Sequence, residues 1–214
     1  MWAARLQPRH QWRPRLERDQ RIMPSQAFQK WQTDRSDELD EIVAAHVSIG
    51  GTGRGRRFAT QQINHAYAML LSSQFQGFCR DLHTESIDSL VLTVSPINLQ
   101  KILKHELGGS RKLDRGNPNP GNIGSDFDRF GLTFWPQVQL IDPLNAARQT
   151  ALTQLNEWRN AIAHQDFDPA RLGGLRALHL RHVSDWRKAC QGLAESFDRV
   201  LQVHIQVLTG QLPW

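Results

Sequence analysis

The sequence predicts an all-α fold, a helical bundle with one long internal loop and a basic N-terminal arm. Apolar residues recur three and four positions apart over several long stretches, which is the period of an amphipathic helix. No stretch alternates with period two for long enough to build a sheet. The sequence also lacks the internal self-similarity of a repeat protein.

The composition is that of an ordinary globular protein, which excludes collagen-like, mucin-like and wholly disordered chains. Of 214 residues, 39% are apolar, 22% are charged and 8% are aromatic. Two cysteines, Cys79 and Cys190, are too few for a disulfide framework, and we expect both to be buried and reduced. Because the sequence shows neither a membrane-spanning run nor a secretory leader, we expect a cytoplasmic protein without membrane contact.

Most of the net charge lies in the first 22 residues. They contain six arginines and two acidic residues, within a formal net charge of +5 for the whole chain. Residues 23–214, which we interpret as a single helical domain, are therefore close to neutral, and charge alone does not predict that this body binds nucleic acid. Residues 1–22 lack a helical period, so we interpret them as an arm, either disordered or an extension upstream of a start at Met23.

The first predicted helix begins at Ser36, whose hydroxyl can cap a helix that opens with two acidic residues. It ends at the glycine-rich stretch 50–57, which has neither the Lys-Ser/Thr ending nor the preceding strand of a phosphate-binding P-loop. This stretch is either a solvated linker or a basic loop that meets a phosphate backbone. In the second case its candidate RNA-binding residues are Arg54, Arg56 and Arg57.

The rest of the chain alternates helices with glycine- and proline-rich breaks. Residues 60–85 form a strong amphipathic helix, and residues 86–94 either extend it or form a short separate one. Pro96 opens a helix that ends at a glycine pair after residue 107. The Gly-, Asn- and Pro-rich stretch 110–124 is the long internal loop. Three helices are predicted after it, over residues 125–134, 143–164 and 184–208.

The helix over 143–164 is the most informative segment. A helical wheel places an apolar stripe toward the core, made of Leu144, Ala147, Ala151, Leu155, Trp158 and Ile162. A weakly charged polar face lies opposite, made of Gln149, Thr153, Asn156, Asn160 and His164. Since a solvated helix face usually carries Lys and Glu in pairs, this face favours contact with a second helix or a partner subunit.

The end of this helix carries groups suited to metal-free RNA cleavage. The ring of His164 can accept or donate a proton near neutral pH, and Arg159 supplies a planar cation for phosphate oxygens. Such groups can activate the 2′-hydroxyl, protonate the leaving 5′-oxygen and stabilise the added charge. The two residues lie about 140° apart around an ideal helix, so one copy does not aim both at one phosphate. Two copies packed about a two-fold axis can do so.

The segment Arg159-Asn160-Ala161-Ile162-Ala163-His164 resembles the Arg-x4–6-His motif of the HEPN superfamily (higher eukaryotes and prokaryotes nucleotide-binding). The loop 113–120 and the ending 209–214 resemble bacterial members of the RiboL-PSP-HEPN type. The resemblance implies a dimerising helical bundle whose metal-independent endoribonuclease cleft lies at the homodimer interface. It implies catalytic roles for Arg159 and His164, with Asn160 as a supporting residue.

The resemblance also implies the protein's partners and its biological role. They are an RNA substrate, a second copy of the chain and an antitoxin or defence-system protein, in a toxin or antiphage effector that needs no cofactor or metal. Many HEPN proteins also carry an acidic residue on an early helix near the cleft. The helix over 60–85 offers Gln74, Gln76, Asp81 and Glu85 for that position, and the sequence assigns none of them.

Other interpretations remain open at this stage. Arg159 can instead form a salt bridge with Glu157 or another acid, and His164 can cap the last carbonyls of its helix. The same polar face can belong to a non-catalytic module that binds a nucleotide, RNA or a protein. His179 and His182 have metal-ligand spacing but no third ligand nearby, which favours a structural or surface role. A DNA-binding protein is less favoured because no helix has a clustered basic face.

Overall fold

The computed structural model describes residues 23–50 and 58–214, and every regular element in these ranges is a helix. The all-α prediction is therefore confirmed for the described residues. Eight α-helices are seen there, with two short 3₁₀ turns at 112–114 and 128–130. The helices are α1 (Gln26–Gln32), α2 (Asp34–Gly50), α3 (Phe58–Val91), α4 (Ile97–Gly108), α5 (Pro120–Phe127), α6 (Phe134–Ile141), α7 (Asn145–His164) and α8 (Leu180–Thr209).

The long helices agree with the sequence pattern. Helix α3 continues to Val91, so residues 86–94 mostly extend the predicted helix over 60–85 rather than form a separate one. Helices α4, α7 and α8 lie where they are predicted, although α8 begins at Leu180, four residues before the expected start. The segments 1–22 and 51–57, with Arg54, Arg56 and Arg57, lie outside the described residues.

The predicted start at Ser36 is wrong because two helices cover this region. Helix α1 is capped by Ser25, whose hydroxyl accepts a hydrogen bond of 3.0 Å from the backbone N–H of Phe28. Helix α2 then begins at Asp34, directly after Thr33. The cap residue Ser25 was visible in the sequence, but α1 has only seven residues, too few to show a clear apolar period.

The internal loop is shorter than predicted, and the helix expected over 125–134 is not continuous. Asn119 caps α5 by accepting from the N–H of Asn122 at 2.8 Å, and Pro120 occupies the first turn. Helix α5 therefore takes the last residues of the predicted loop. After the 3₁₀ turn, Gly131 adopts a φ of 81°, which ends this segment before α6 begins at Phe134.

Helix α7 packs against α3 and α8, and its buried face differs from the predicted stripe. Leu144 is 63% exposed, whereas Asn145 and Asn156 are buried. Both asparagines donate to backbone carbonyls, Asn145 to Val138 O at 2.7 Å and Asn156 to Pro118 O at 3.1 Å. Burial of an amide that has such partners costs little free energy. These polar residues therefore lie inside, and the buried face of α7 differs from the apolar stripe of the helical wheel.

The core is formed by buried residues of α1, α3, α5, α6, α7 and α8. Phe197 of α8 contacts several other rings, with centroid distances of 4.8 Å to Phe134 and 6.0 Å to Phe75. Cys79 and Cys190 are buried free thiols, as predicted, and burial raises the pKa of both. No described helix is both long and apolar enough to cross a membrane.

Candidate functional site

The carboxyl end of α7 is closed by Gln165, which adopts the left-handed conformation with φ of 55°. Its backbone N–H donates to Ala161 O and Ile162 O, and its side-chain amide donates to Ile162 O at 2.7 Å. The N–H of Asp166 donates to Ala161 O at 3.0 Å. The last turn is therefore capped by Gln165 and Asp166.

His164 is exposed and takes no part in this cap. Its ring forms no hydrogen bond with any residue in the described part of the chain. The interpretation of His164 as a capping side chain is therefore wrong. The ring projects from the last turn of a helix that other residues cap, and it is accessible to a ligand or a partner.

A pocket of about 250 Å³ lies beside this helix end. Helix α7 supplies one wall and the segment after it supplies the other. Asn160 and His164 share the pocket, as their spacing of four residues predicts. Its lining residues are Glu157, Asn160, Ala161, His164, Asp166, Arg171 and Leu172.

The pocket carries charges of both signs. Asp166 and Arg171 form an exposed ion pair at 3.2 Å across the loop that follows α7. Glu157 lies one turn before Asn160 and is exposed. An anionic ligand in this pocket would meet the cation of Arg171 against the carboxylates of Glu157 and Asp166. Apart from its histidine, the pocket of one copy therefore carries more acidic than basic side chains.

Arg159 lies next to this pocket but does not line it. Its side chain is partly buried, and its Nη1 donates to Asn160 Oδ1 at 3.3 Å. It forms no ion pair with Glu157 or with any other acid among the described residues. The salt-bridge interpretation of Arg159 is therefore wrong for these residues.

The side-chain oxygen of Asn160 accepts from two donors, a contact that is not evident from the sequence. Asn117, 43 residues earlier in the chain, donates from Nδ2 to Asn160 Oδ1, the same atom that accepts from Arg159. Asn160 is thus partly buried rather than on an open outer face. The only sequence signal for this contact was the Asn- and Pro-rich composition of the loop 113–120.

The loop 113–120 is itself fixed to three helices. Gln76 of α3 donates to Leu113 O at 2.6 Å and to Gly116 O at 2.9 Å. Asn122 of α5 donates to Asn117 O at 2.8 Å, and Asn156 of α7 donates to Pro118 O. The backbone of this loop is therefore held in place by three helices where Asn117 contacts Asn160.

The acidic candidates of α3 have other partners. Asp81 pairs with Arg35 at 2.7 Å, and Glu85 accepts from the backbone N–H groups of Gln26 and Ala27 at 2.9 and 3.0 Å. Gln74 contacts Arg35 and Glu38, and Gln76 holds the loop. Among the described residues of α3, none of these four side chains reaches the pocket beside His164.

The α3 residue that does lie near the end of α7 is His65. Its ring stacks on Phe167 with a centroid distance of 5.4 Å and lies 6.3 Å from the ring of Trp158. Burial lowers the pKa of His65, so this ring is neutral near pH 7. It therefore anchors the segment that follows His164 rather than supplying charge.

Metal ligands are not gathered in the described ranges. The rings of His179 and His182 lie 5.4 Å apart, and the backbone N–H of His179 donates to His182 Nδ1 at 3.2 Å. No group of three His, Cys, Asp or Glu side chains in residues 23–50 and 58–214 is arranged to bind a metal ion. The two histidines cap the start of α8 instead.

Comparison of the chain with family models, curated proteins and solved structures gives no match.

Proposed function

We propose that this chain is a metal-independent endoribonuclease of the HEPN type, with a composite active site formed by two copies. The single observation that carries the proposal is the state of Arg159. It is a partly buried guanidinium with no carboxylate partner in the described residues, held by Asn160 at the start of an Arg-Asn-x-x-x-His segment. Burying a cation without a counter-charge is costly, so such a group is expected to serve a ligand.

The reaction that these groups support is an internal transesterification. His164 of one copy takes the proton of the 2′-hydroxyl, and the 2′-oxygen bonds to the adjacent phosphorus as the bond to the 5′-oxygen breaks. The second His164 donates a proton to the leaving 5′-oxygen. Arg159 stabilises the charge on the non-bridging oxygens. The products are a 2′,3′-cyclic phosphate end and a 5′-hydroxyl end.

The geometry of α7 supports the proposed homodimer. Asn160 and His164 line the pocket whereas Arg159 lies outside it, so one copy presents an incomplete site. Thr153, Glu157 and Ala163 lie on the exposed side of α7 together with His164. If a second α7 packs here about a two-fold axis, both guanidiniums and both rings enter one cleft. The small Ala163 allows a close approach.

In the cell, such an activity belongs to a toxin or an antiphage effector. Cleavage of RNA stops growth or phage propagation, so a partner protein that restrains the enzyme is part of the proposal. Arg54, Arg56 and Arg57 remain proposed RNA-binding residues, since their guanidiniums would neutralise backbone phosphates.

The test is RNA cleavage in the presence of EDTA by the wild-type protein and two variants. We expect Arg159→Ala and His164→Ala each to abolish cleavage while the far-UV circular dichroism spectrum stays unchanged. His105→Ala and Arg199→Ala are matched controls, because both residues are exposed and lie on other helices, and they should retain full cleavage. Equal cleavage by the wild-type protein and both α7 variants would refute the assignment of the site.

A second candidate function is a non-catalytic module that binds a nucleotide or RNA. The observation that favours it is the absence, among the described residues of α3, of a carboxylate directed to the pocket. Fluorescence titration with labelled RNA in EDTA separates the two functions. Saturable binding without any cleaved product selects the binding module, and cleaved product selects the enzyme.

A further inference from the structure

We infer that Asn117 is a positioning residue, whose side-chain amide fixes the orientation of Asn160 so that the Asn160 N–H donors face the pocket and bind a phosphodiester oxygen. This inference rests on the proposed function, since it names a further element of the same site. It concerns a residue of a separate loop that lies outside the Arg-Asn-x-x-x-His segment.

The contact with Arg159 identifies which atom of the Asn160 amide is the oxygen. A guanidinium has only donors, so the atom that it contacts at 3.3 Å is the carbonyl oxygen Oδ1 of Asn160. The same oxygen accepts from Asn117 Nδ2. With Asn117 in its observed orientation, a turned Asn160 amide would bring its NH₂ group against two donors at once, and both hydrogen bonds would be lost. The pair of donors therefore selects one orientation.

The consequence is that Nδ2 of Asn160 is left for the pocket. This nitrogen donates to no residue in the described ranges, and Asn160 lines the pocket together with His164. Two N–H donors beside an imidazole are suited to an anionic oxygen whose neighbouring oxygen exchanges a proton with that ring. The phosphodiester of the proposed substrate supplies both oxygens.

Asn117 can act in this way because its loop is rigid. Its own carbonyl accepts from Asn122 Nδ2, and the flanking Gly116 and Pro118 carbonyls accept from Gln76 and Asn156. A Cβ at Gly116 would lie 2.7 Å from Asn122 Nδ2. The loop backbone therefore packs against the Asn122 side chain at a distance that favours glycine. The backbone that carries the donor is thus held before any ligand arrives.

Two substitutions separate this role from a structural one. Asn117→Asp keeps the shape but replaces the donor by an acceptor, which repels Asn160 Oδ1 and favours the turned amide. Asn160→Asp keeps the acceptor for both donors and removes the N–H groups that face the pocket. Asn98→Asp is the matched control, because it makes the same chemical change on the exposed face of α4.

The readout combines kinetics with the NMR signal of the Asn160 side-chain amide, assigned by its loss in Asn160→Asp. We expect Asn117→Asp to lower kcat for RNA cleavage about 100-fold, the effect of a misplacement on the order of 1 Å, and Asn98→Asp to leave kcat unchanged. The binding probe is a mixed-sequence 2′-O-methyl RNA hexanucleotide, which lacks the attacking hydroxyl. In the wild-type protein, this probe should shift the Asn160 amide protons and the backbone amides of Ala163 and His164. In Asn117→Asp, only the backbone amides should still shift.

The inference is overturned if the Asn160 amide does not respond in the wild-type protein. It is also overturned if Asn117→Asp retains both the response and wild-type kcat. Failure of the proposed function gives a different pattern: the wild-type protein then cleaves no RNA, while an Asn160 response that depends on Asn117 supports the positioning role in a binding site.

Discussion

Replacing Asp198 by Asn is expected to change how the stability of the protein depends on pH. Asp198 lies in α8, is 7% exposed and accepts from the backbone N–H of Ser25 at 3.2 Å. Burial raises its pKa to about 6 from an ordinary value of 3.8. The folded protein therefore binds more protons than the unfolded chain between these two values. The contribution of this carboxyl to stability is present at low pH and is lost as the pH rises through about 6.

The size of the effect follows from the two pKa values. Integrating the difference in bound protons from about pH 4 to pH 7.5 gives a loss of about 2.5 kcal/mol in the free energy of unfolding. Asn cannot ionise, so Asp198→Asn should gain about 2.5 kcal/mol relative to the wild-type protein over this range. Because the comparison is between two proteins at each pH, the other titrating groups cancel.

The assay is urea unfolding followed by circular dichroism at a series of pH values for both proteins. Asn retains an oxygen that can accept from Ser25, so the variant should fold. If the difference between the two proteins stayed constant within about 0.5 kcal/mol from pH 4 to 7.5, the carboxyl would ionise normally and the reasoning from burial would be refuted.

Four further predictions use other residues. His83 is fully buried, and burial lowers its pKa to about 4, so this ring destabilises the folded protein as the pH falls below 6.5. His83→Gln should therefore remove a loss of about 3 kcal/mol in the free energy of unfolding at low pH, which is opposite in sign to the effect of Asp198, in the same urea titration. Arg159→Lys keeps the charge but loses the planar fork, and RNA cleavage should fall about 100-fold with unchanged urea unfolding; wild-type cleavage would exclude a guanidinium-specific role. Phe75→Ala should cost about 3–5 kcal/mol in urea unfolding because the ring is fully buried, and a cost below about 1 kcal/mol would contradict the packing described above. Gln165→Ala should lower the melting temperature through loss of about 1 kcal/mol, whereas Gln165→Gly should be near neutral because glycine relieves the left-handed backbone; equal melting temperatures for the two variants would contradict this.

The long helices could be predicted because apolar residues recur regularly along their buried faces. Helix α3 repeats Tyr67, Leu71, Phe75, Phe78 and Leu82 at threes and fours, and all five side chains are buried. The first and last residues of the short helices could not be predicted as accurately. Seven or eight residues give only two turns, so their ends depend on caps, turns and contacts with the rest of the fold.

The buried face of α7 was misjudged for a different physical reason. Hydrophobic periodicity assigns every asparagine to the outside, but Asn145 and Asn156 are buried because backbone carbonyls of other segments accept from them. Those carbonyls belong to residues that the sequence alone does not place beside α7. The spacing of Asn160 and His164 correctly predicted that the two residues share one pocket, since it depends only on the geometry of one helix. The contact from Asn117 could not, since it requires the tertiary fold.

Arg159 differs from the other partly buried arginines of this protein in a way that favours a role in ligand binding. Arg35, Arg148 and Arg187 lie in similar partly buried positions, and each pairs with an aspartate at 2.7 Å or less. Arg129 is also partly buried and has no carboxylate partner in the described residues, but it donates to two backbone carbonyls, Gly109 O at 2.6 Å and Glu106 O. Where a guanidinium of these residues has a structural role, the fold therefore provides a counter-charge or several carbonyl acceptors. At Arg159 the described residues provide only the amide oxygen of Asn160, which Asn117 also uses. An amide oxygen orients a guanidinium without neutralising it, so the positive charge remains available to a phosphate.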